Sequence, residues 1–294
     1  MNVKITGGEC SGVLGAIPSK SYAHRIAICN FLAKNQIDGG CGDFSSNDIK
    51  ATEKCLKALV RGGKELDCGE SGSTLRFLLP LVSALGGKYT LLGHGKLMER
   101  PNDELMNALK ENGVEFYKEQ GIVVNGKLKS GVFSLRGDIS SQYVSGLLMA
   151  LPTLSGDSEI RLTSQLASKP YVDITIEVLR EYGIEIEEKE SGFFIKGNQQ
   201  YKGNLKAQGD WSNAAFFLAL GGLTGQIKVS GLKQNSAQGD RAIINVLSDF
   251  GAKVTLDKDC VMIKKGEFKP FTFDVNDCPD LVPILAVLAG FANG

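Results

Sequence analysis

The chain has no net charge: 33 lysines and arginines offset 33 aspartates and glutamates. No long-range field therefore draws it to nucleic acid or to an acidic membrane, although a neutral protein can still carry a locally basic cleft. Histidine is scarce, with only His24 and His94. The seven cysteines (Cys10, Cys29, Cys41, Cys55, Cys68, Cys260 and Cys278) form no C-x-x-C pair. That scarcity leaves no ligand set for zinc or another metal. Cysteines at such irregular spacing read as free, mostly buried thiols in a reducing compartment, and nothing in the sequence nominates one as a catalytic thiolate. The sequence also lacks any apolar run of about 18 residues and the charged-then-apolar start of a secretory signal. The expectation is a cytoplasmic protein with no membrane or nucleic-acid partner, no metal and no cofactor.

At 294 residues, with 43% hydrophobic residues and 36 glycines, the chain suits one large domain or two. Its opening stretch, Ile17-Pro18-Ser19-Lys20-Ser21-Tyr22-Ala23-His24-Arg25, precedes an apolar run and reads as a helix start. Ser19 or Ser21 is a candidate cap. Ser21 and Arg25 lie four residues apart and share a helix face, with Lys20 at its mouth. Cations, a hydroxyl and a helix N-terminus converging in this way suit a phosphate. An exposed first turn with solvated Lys and Arg explains the same residues.

The strongest pattern is periodic. A Gly-acid or Asn-acid pair, then small polar residues, then an apolar run occurs at Gly69-Glu70, Gly137-Asp138, Gly209-Asp210 and Asn276-Asp277, with starts 68, 72 and 67 residues apart. The segment at Ser19 is an earlier member of the set. Between these starts lie amphipathic helices ending at Gly113, Gly183 and Gly251, each followed by alternating strand sequence. The unit is thus a buried helix, a strand, an exposed helix and two strands, with copies beginning at Ser19, Gly69, Gly137 and Gly209 and a fifth begun at Asn276. Such units pack together because each alone is too small to bury its own face. The near-uniformly apolar first helices belong inside, with sheets outside them. If those helices run parallel, their N-termini cluster and attract anions without net charge. Ser71, Ser140, Ser141 and Ser212 are then either anion ligands or plain caps.

Several stretches in order resemble the 5-enolpyruvylshikimate-3-phosphate synthases: Pro18-Ser19-Lys20-Ser21 with Arg25; Gly69-Glu70-Ser71-Gly72-Ser73-Thr74-Leu75-Arg76; Glu99-Arg100-Pro101; Ser140-Ser141-Gln142-Tyr143; Ser168-Lys169-Pro170-Tyr171-Val172-Asp173; Gly209-Asp210; Gln238-Gly239-Asp240; and Pro279-Asp280. The resemblance implies an α/β (α+β) fold: a two-domain inside-out α/β barrel of βαβαββ repeats. It places residues 19–208 in a three-repeat domain binding shikimate 3-phosphate, and residues 1–18 with 209–294 in a second, incomplete domain. The implied reaction moves the enolpyruvyl group of phosphoenolpyruvate to the 5-hydroxyl of shikimate 3-phosphate and releases phosphate, in the shikimate pathway to chorismate and aromatic amino acids.

Carried over residue by residue, the resemblance assigns Lys20 to both substrates and, with Asp280, to catalysis, Asp280 as proton acceptor. Ser21, Arg25, Ser140, Ser141, Gln142, Ser168 and Tyr171 are implied for shikimate 3-phosphate, together with Lys20 and Asp280. Gly72, Arg100, Lys20 and Gln142 are implied for phosphoenolpyruvate. Without the resemblance, Asp280 reads equally as a carboxylate favoured by a helix dipole. Asp103 and Asp173 read as structural.

Ser73 stands where many members have threonine and Glu70 where many have asparagine, in a region that meets phosphoenolpyruvate. The family pattern also continues beyond Gly294, so the chain is expected to be a fragment: a monomer whose second domain leaves apolar faces such as 281–288 poorly covered, with little or no turnover. Two other readings stand beside this one. The sister transferase acting on UDP-N-acetylglucosamine shares the fold, but it carries Lys-Asn at the Lys20-Ser21 position and relies on a loop cysteine. A non-catalytic anion-binding derivative is the third.

Overall fold

The structure is a computed structural model that describes residue 4 and residues 6–292. It divides into two compact units, residues 1–19 with 208–294 and residues 20–207. Strands and helices are numbered in chain order. Strand β1 (Ser11–Gly15) belongs to the first unit, and the chain then enters the second at helix α1 (Lys20–Leu32).

In the second unit, α1 and α2 (Asn47–Val60) are followed by two full copies of one pattern. The first is β2 (Glu65–Asp67), α3 (Gly72–Leu85), β3 (Gly87–Leu92), α4 (Asp103–Glu111), β4 (Val114–Lys118) and β5 (Ile122–Gly126). The second is β6 (Val132–Leu135), α5 (Ser141–Ala150), β7 (Ser158–Leu162), α6 (Lys169–Glu181), β8 (Ile186–Lys189) and β9 (Gly192–Ile195). Their sheets have the same order, β2-β3-β5-β4 and β6-β7-β9-β8, with the first pair parallel and the rest antiparallel. A parallel pair needs a crossover, and α3 and α5 supply it.

The expected helix ends are present. Gly113, Gly183 and Gly251 follow the second helix of their repeats at φ 96°, 74° and 97°, a conformation that costs glycine least. In the second unit the first helices lie inside as their composition requires: α1 is buried continuously from Tyr22 to Asn30, and α5 from Tyr143 to Ala150. α3 and α5 run in the same direction, since Gln142 bonds Ser73 while Gly146, one turn on, packs against residues 76–80. Gly146 permits this approach: a Cβ there would stand 2.7 Å from the Arg76 carbonyl oxygen.

The copy beginning at Ser19 departs from the expected unit. Among the described residues it has α1 and α2 but no strand between them, so it builds no sheet of its own. The intervening sequence, Asn35-Gln36-Ile37-Asp38-Gly39-Gly40-Cys41-Gly42, has no apolar alternation to support one. Nor does either candidate serine cap α1. Ser21 lies inside the helix, and the Ser19 hydroxyl is buried without a hydrogen-bond partner.

The first unit holds α7 (Trp211–Thr224), β10 (Gln226–Ser230), α8 (Ile243–Asp249), β11 (Lys253–Asp257), β12 (Cys260–Lys264) and α9 (Val282–Phe291). Its sheet, β1-β10-β12-β11, repeats the order of the other two, with β1 parallel to β10 in the first-strand position. Trp211, Leu218, Val229, Leu247, Phe250 and Leu281 form part of its core. Residues 281–288, expected to be poorly covered, are covered on one side only: Leu281, Ile284, Leu285 and Leu288 are buried against α7 and its neighbours. The open apolar surface lies on the other sides, at Val282, Val287 and Phe291 of α9 and at Phe216, Phe217 and Leu220 of α7. Among the described residues, no helix is long and apolar enough to cross a membrane.

Gly146→Ala is expected to destabilise the second unit by about 1–3 kcal/mol through overpacking against α3. Urea unfolding measures this, and an unchanged midpoint would contradict the packing described.

Candidate functional site

The N-termini of the inner helices in the second unit carry most of the expected residues. Lys20 opens α1, its side chain half exposed and its ammonium 2.9 Å from Asp48 on α2. Ser21 follows, half buried. Arg25 is almost wholly buried. Its Nε donates to Thr175 Oγ1 (2.7 Å), Nη1 to the Ser21 carbonyl (2.7 Å), and Nη2 to Ser145 Oγ (3.2 Å) and the Tyr171 carbonyl (2.8 Å). These bonds use all but one of the five N–H groups that a guanidinium offers. Burial lowers its pKa to about 10, so it stays charged at neutral pH. Arg25 thus fastens Ser21 and the first turn of α6 to α5.

At the start of α5, Ser140 caps the helix by accepting from the Gln142 N–H, and Ser141 is buried beside it. Gln142 reaches across to α3: its Oε1 accepts from Arg76 Nη1 at 2.7 Å and its Nε2 donates to Ser73 Oγ at 2.8 Å. The amide cannot be reversed, because arginine only donates. Ser168 precedes α6 in the left-handed conformation, φ 54°. Tyr171 lies in the first turn of that helix, half buried.

Gly72 and Arg100 also come together. A Cβ on Gly72 would stand 2.9 Å from Arg100 Nη1, so the guanidinium lies over the bare first turn of α3. Arg76, four residues beyond Gly72 and on the same face, is the residue that sequence reasoning left without a role. Its hydrogen bonds to Gln142, Asn102 and the Pro101 carbonyl all end on neutral oxygens. Burial and the nearby Arg100 charge both lower its pKa. Two guanidiniums near one helix N-terminus favour an anion there.

Asp280 lies in the first unit, exposed, in the 3-10 turn Pro279–Leu281 that leads into α9. Two further carboxylates of that unit are Asp210 and Asp240, and the charges of Asp280 and Asp210 both act on Asp240. Asp210 caps α7, its Oδ1 accepting from the Asn213 N–H at 2.7 Å. Asp240 is buried in the turn Gly239–Ala242, and its Oδ1 has no hydrogen-bond partner. Burial, then the Asp280 and Asp210 charges, push the Asp240 pKa up to about 7, against a hydrogen bond from Ser212. Nothing in the local sequence signals this, since burial is set by packing across the unit. Burial raises the thiol pKa of Cys29 and of Cys278, the latter to about 11, which disfavours a thiolate at either position.

The family model described as EPSP synthase (3-phosphoshikimate 1-carboxyvinyltransferase) matches residues 61–294. The 3-phosphoshikimate 1-carboxyvinyltransferase of Clostridium kluyveri is 40% identical over 316 residues, which cover 99% of this chain and 74% of that protein. The chain belongs to the EPSP synthase family. A second enzyme of the same name, from Methanocaldococcus jannaschii, is also 40% identical and is covered over 73% of its length. EPSP synthase from Acinetobacter baumannii has the same fold, with a TM-score of 0.77 at 20% identity over 98% of this chain and 73% of that one. The chain therefore spans about three quarters of these family members.

Asp240 gives stability a distinct pH dependence. Its carboxyl keeps its proton to about pH 7 when folded but loses it near pH 4 when unfolded. Between those values the folded state binds more protons, so this contribution is full below about pH 4 and is lost as pH rises through about 7. Asp240→Asn is expected to remove that decline, raising Tm at pH 8 relative to the parent. A parent and variant with parallel Tm–pH curves would contradict the assignment.

Proposed function

We propose that the N-termini of α1, α3, α5 and α6 hold shikimate 3-phosphate and phosphoenolpyruvate for enolpyruvyl transfer, the reaction named for the chain's relatives. The observation that carries this reading is the pairing of Gly72 with Arg100 beside Arg76, Ser73 and Gln142, because it sets two cations on a helix end next to a polar bridge to α5. Phosphoenolpyruvate, with its phosphate and carboxylate, matches that end. Shikimate 3-phosphate matches the neighbouring end formed by Lys20, Ser21, Ser140, Ser141, Ser168 and Tyr171, with Gln142 between the two.

The chemistry sets further demands. The 5-hydroxyl oxygen attacks C2 of the enol while its proton leaves and the CH₂ group gains one. Loss of phosphate from C2 and of a proton from the methyl group so formed then restores the vinyl group. A general base and a general acid are required. Asp280 is our candidate for the base and Lys20 for the acid. Arg25 serves this site as a clamp first and as a ligand through its one remaining N–H.

Titration calorimetry with shikimate 3-phosphate tests the reading, and Lys20 is the residue to change because its loss leaves the buried core intact. Lys20→Ala is expected to weaken binding about tenfold or more, the worth of one charge-assisted hydrogen bond. UDP-N-acetylglucosamine is expected not to compete. Equal affinity in parent and variant, or competition by the nucleotide sugar, would contradict the proposal.

A further inference from the structure

Beneath the start of α3 runs a chain of buried polar side chains that the proposed reaction does not use. His24 of α1, 2% exposed, sets its Nδ1 2.8 Å from Thr52 Oγ1 of α2. Thr52 Oγ1 lies 2.6 Å from Thr74 Oγ1 of α3, and Thr74 Oγ1 lies 2.8 Å from Ser71 Oγ. Ser71 is the cap of α3 and also accepts from the Thr74 N–H at 3.2 Å. Both threonines are fully buried and Ser71 nearly so. Three successive helices thus meet through one line of hydroxyls ending at the helix start where Gly72 faces Arg100.

The direction of the protons follows from His24. Its Nε2 is buried with no hydrogen-bond partner, and the ring stands edge-on to Phe77 at 6.1 Å. An orphaned buried N–H is a rarer and costlier state than an orphaned acceptor, so the proton sits on Nδ1. The imidazole stays neutral: burial, with the nearby Lys20 and Arg25 charges, outweighs Asp48 and holds its pKa down to about 3. His24 Nδ1–H then donates to Thr52, the 2.6 Å contact takes the Thr52 proton to Thr74, and Thr74 donates to Ser71 at 2.8 Å in preference to the Asp48 carbonyl, which lies farther from the two hydroxyls at 3.3 and 3.2 Å. Ser71 Oγ accepts twice from Thr74, once from the hydroxyl and once from the amide. With the opposite tautomer Thr52 would donate to the ring, Thr74 to Thr52, and Ser71 would lose its second donor.

We infer that His24 is a positioning residue: acting through Thr52 and Thr74, its Nδ1–H locks the Ser71 cap and so holds the first turn of α3 ready for an anion carrying phosphate and carboxylate. The relay stands on geometry alone, and only the identity of the anion rests on the enolpyruvyl-transfer reading.

Hydrogen exchange and nitrogen-15 NMR of the full chain test it. The parent is expected to show the Nδ1–H tautomer of His24 unchanged from pH 5 to pH 8. His24→Asn places an amide donor where Nδ1 was, whereas His24→Leu supplies none. In the leucine variant the Thr74 amide should lose protection at least tenfold relative to Leu78 and Leu81 of the same helix, and the asparagine variant should keep it. A merely structural loss would lower all three amides together. With phosphoenolpyruvate as probe, half-saturation of the Gly72 amide shift should rise at least tenfold in the leucine variant only. An Nε2–H tautomer in the parent, a Thr74 amide that falls only in step with Leu78 and Leu81, or failure of His24→Asn to keep it protected would overturn the relay. A Gly72 amide that ignores phosphoenolpyruvate while Thr74 behaves as expected would uphold the relay and overturn the assignment of its anion.

Discussion

One buried guanidinium organises the helix starts of the second unit. Arg25 bonds the Ser21 carbonyl of its own helix, Ser145 of α5, and Thr175 and the Tyr171 carbonyl of α6. A charge out of water is tolerated only when its hydrogen-bonding groups are matched, and each of these acceptors is a neutral oxygen. The positive charge therefore remains uncancelled by these contacts, close under a surface built from helix N-termini. Arg25 also stands over the Phe77 ring, 5.2 Å from its centre, which joins it to α3. Placement and electrostatics come from the same side chain.

This arrangement explains how a chain of zero net charge can present an anion site. Aligned backbone dipoles concentrate positive potential at helix starts without altering the total charge. Arg76 and Arg100 add to it at α3, where Arg76 is anchored by Gln142, Asn102 and Pro101 rather than by a carboxylate. Lys20 differs, since its partner is the carboxylate of Asp48. A phosphate arriving there competes with Asp48 for the same ammonium, so Lys20 is the more switchable of the cations.

Much of the fold was legible because the repeat writes the same local instructions several times. Caps at Ser71 and Ser140 start inner helices and Gly113, Gly183 and Gly251 end outer ones, while α7 is capped by Asp210 and holds Ser212, the expected candidate, inside the helix. The strandless copy at Ser19 escaped notice because its inner helix is ordinary, and only the glycine-rich stretch after it marks the missing strand. Within the site, the spacing of Ser21 and Arg25 correctly put them together, through the Ser21 carbonyl. The depth of Arg25 was not legible, because the partners that bury it lie about 120 to 150 residues away in the chain. Asp240, His24, Thr52 and Thr74 were missed for the same reason: each gains its character from neighbours on other elements.

The account's central claim is that the substrate phosphate is read by the helix starts of the second unit. Amide chemical-shift mapping with shikimate 3-phosphate tests this most directly. The account predicts that the largest shifts fall at residues 20–22, 141–142 and 168–171, the starts of α1, α5 and α6. Shifts concentrated instead around the cavity of about 370 Å³ lined by Ile176, Arg180, Glu187 and Phe194 on the outer side of α6, or confined to the first unit, would contradict it.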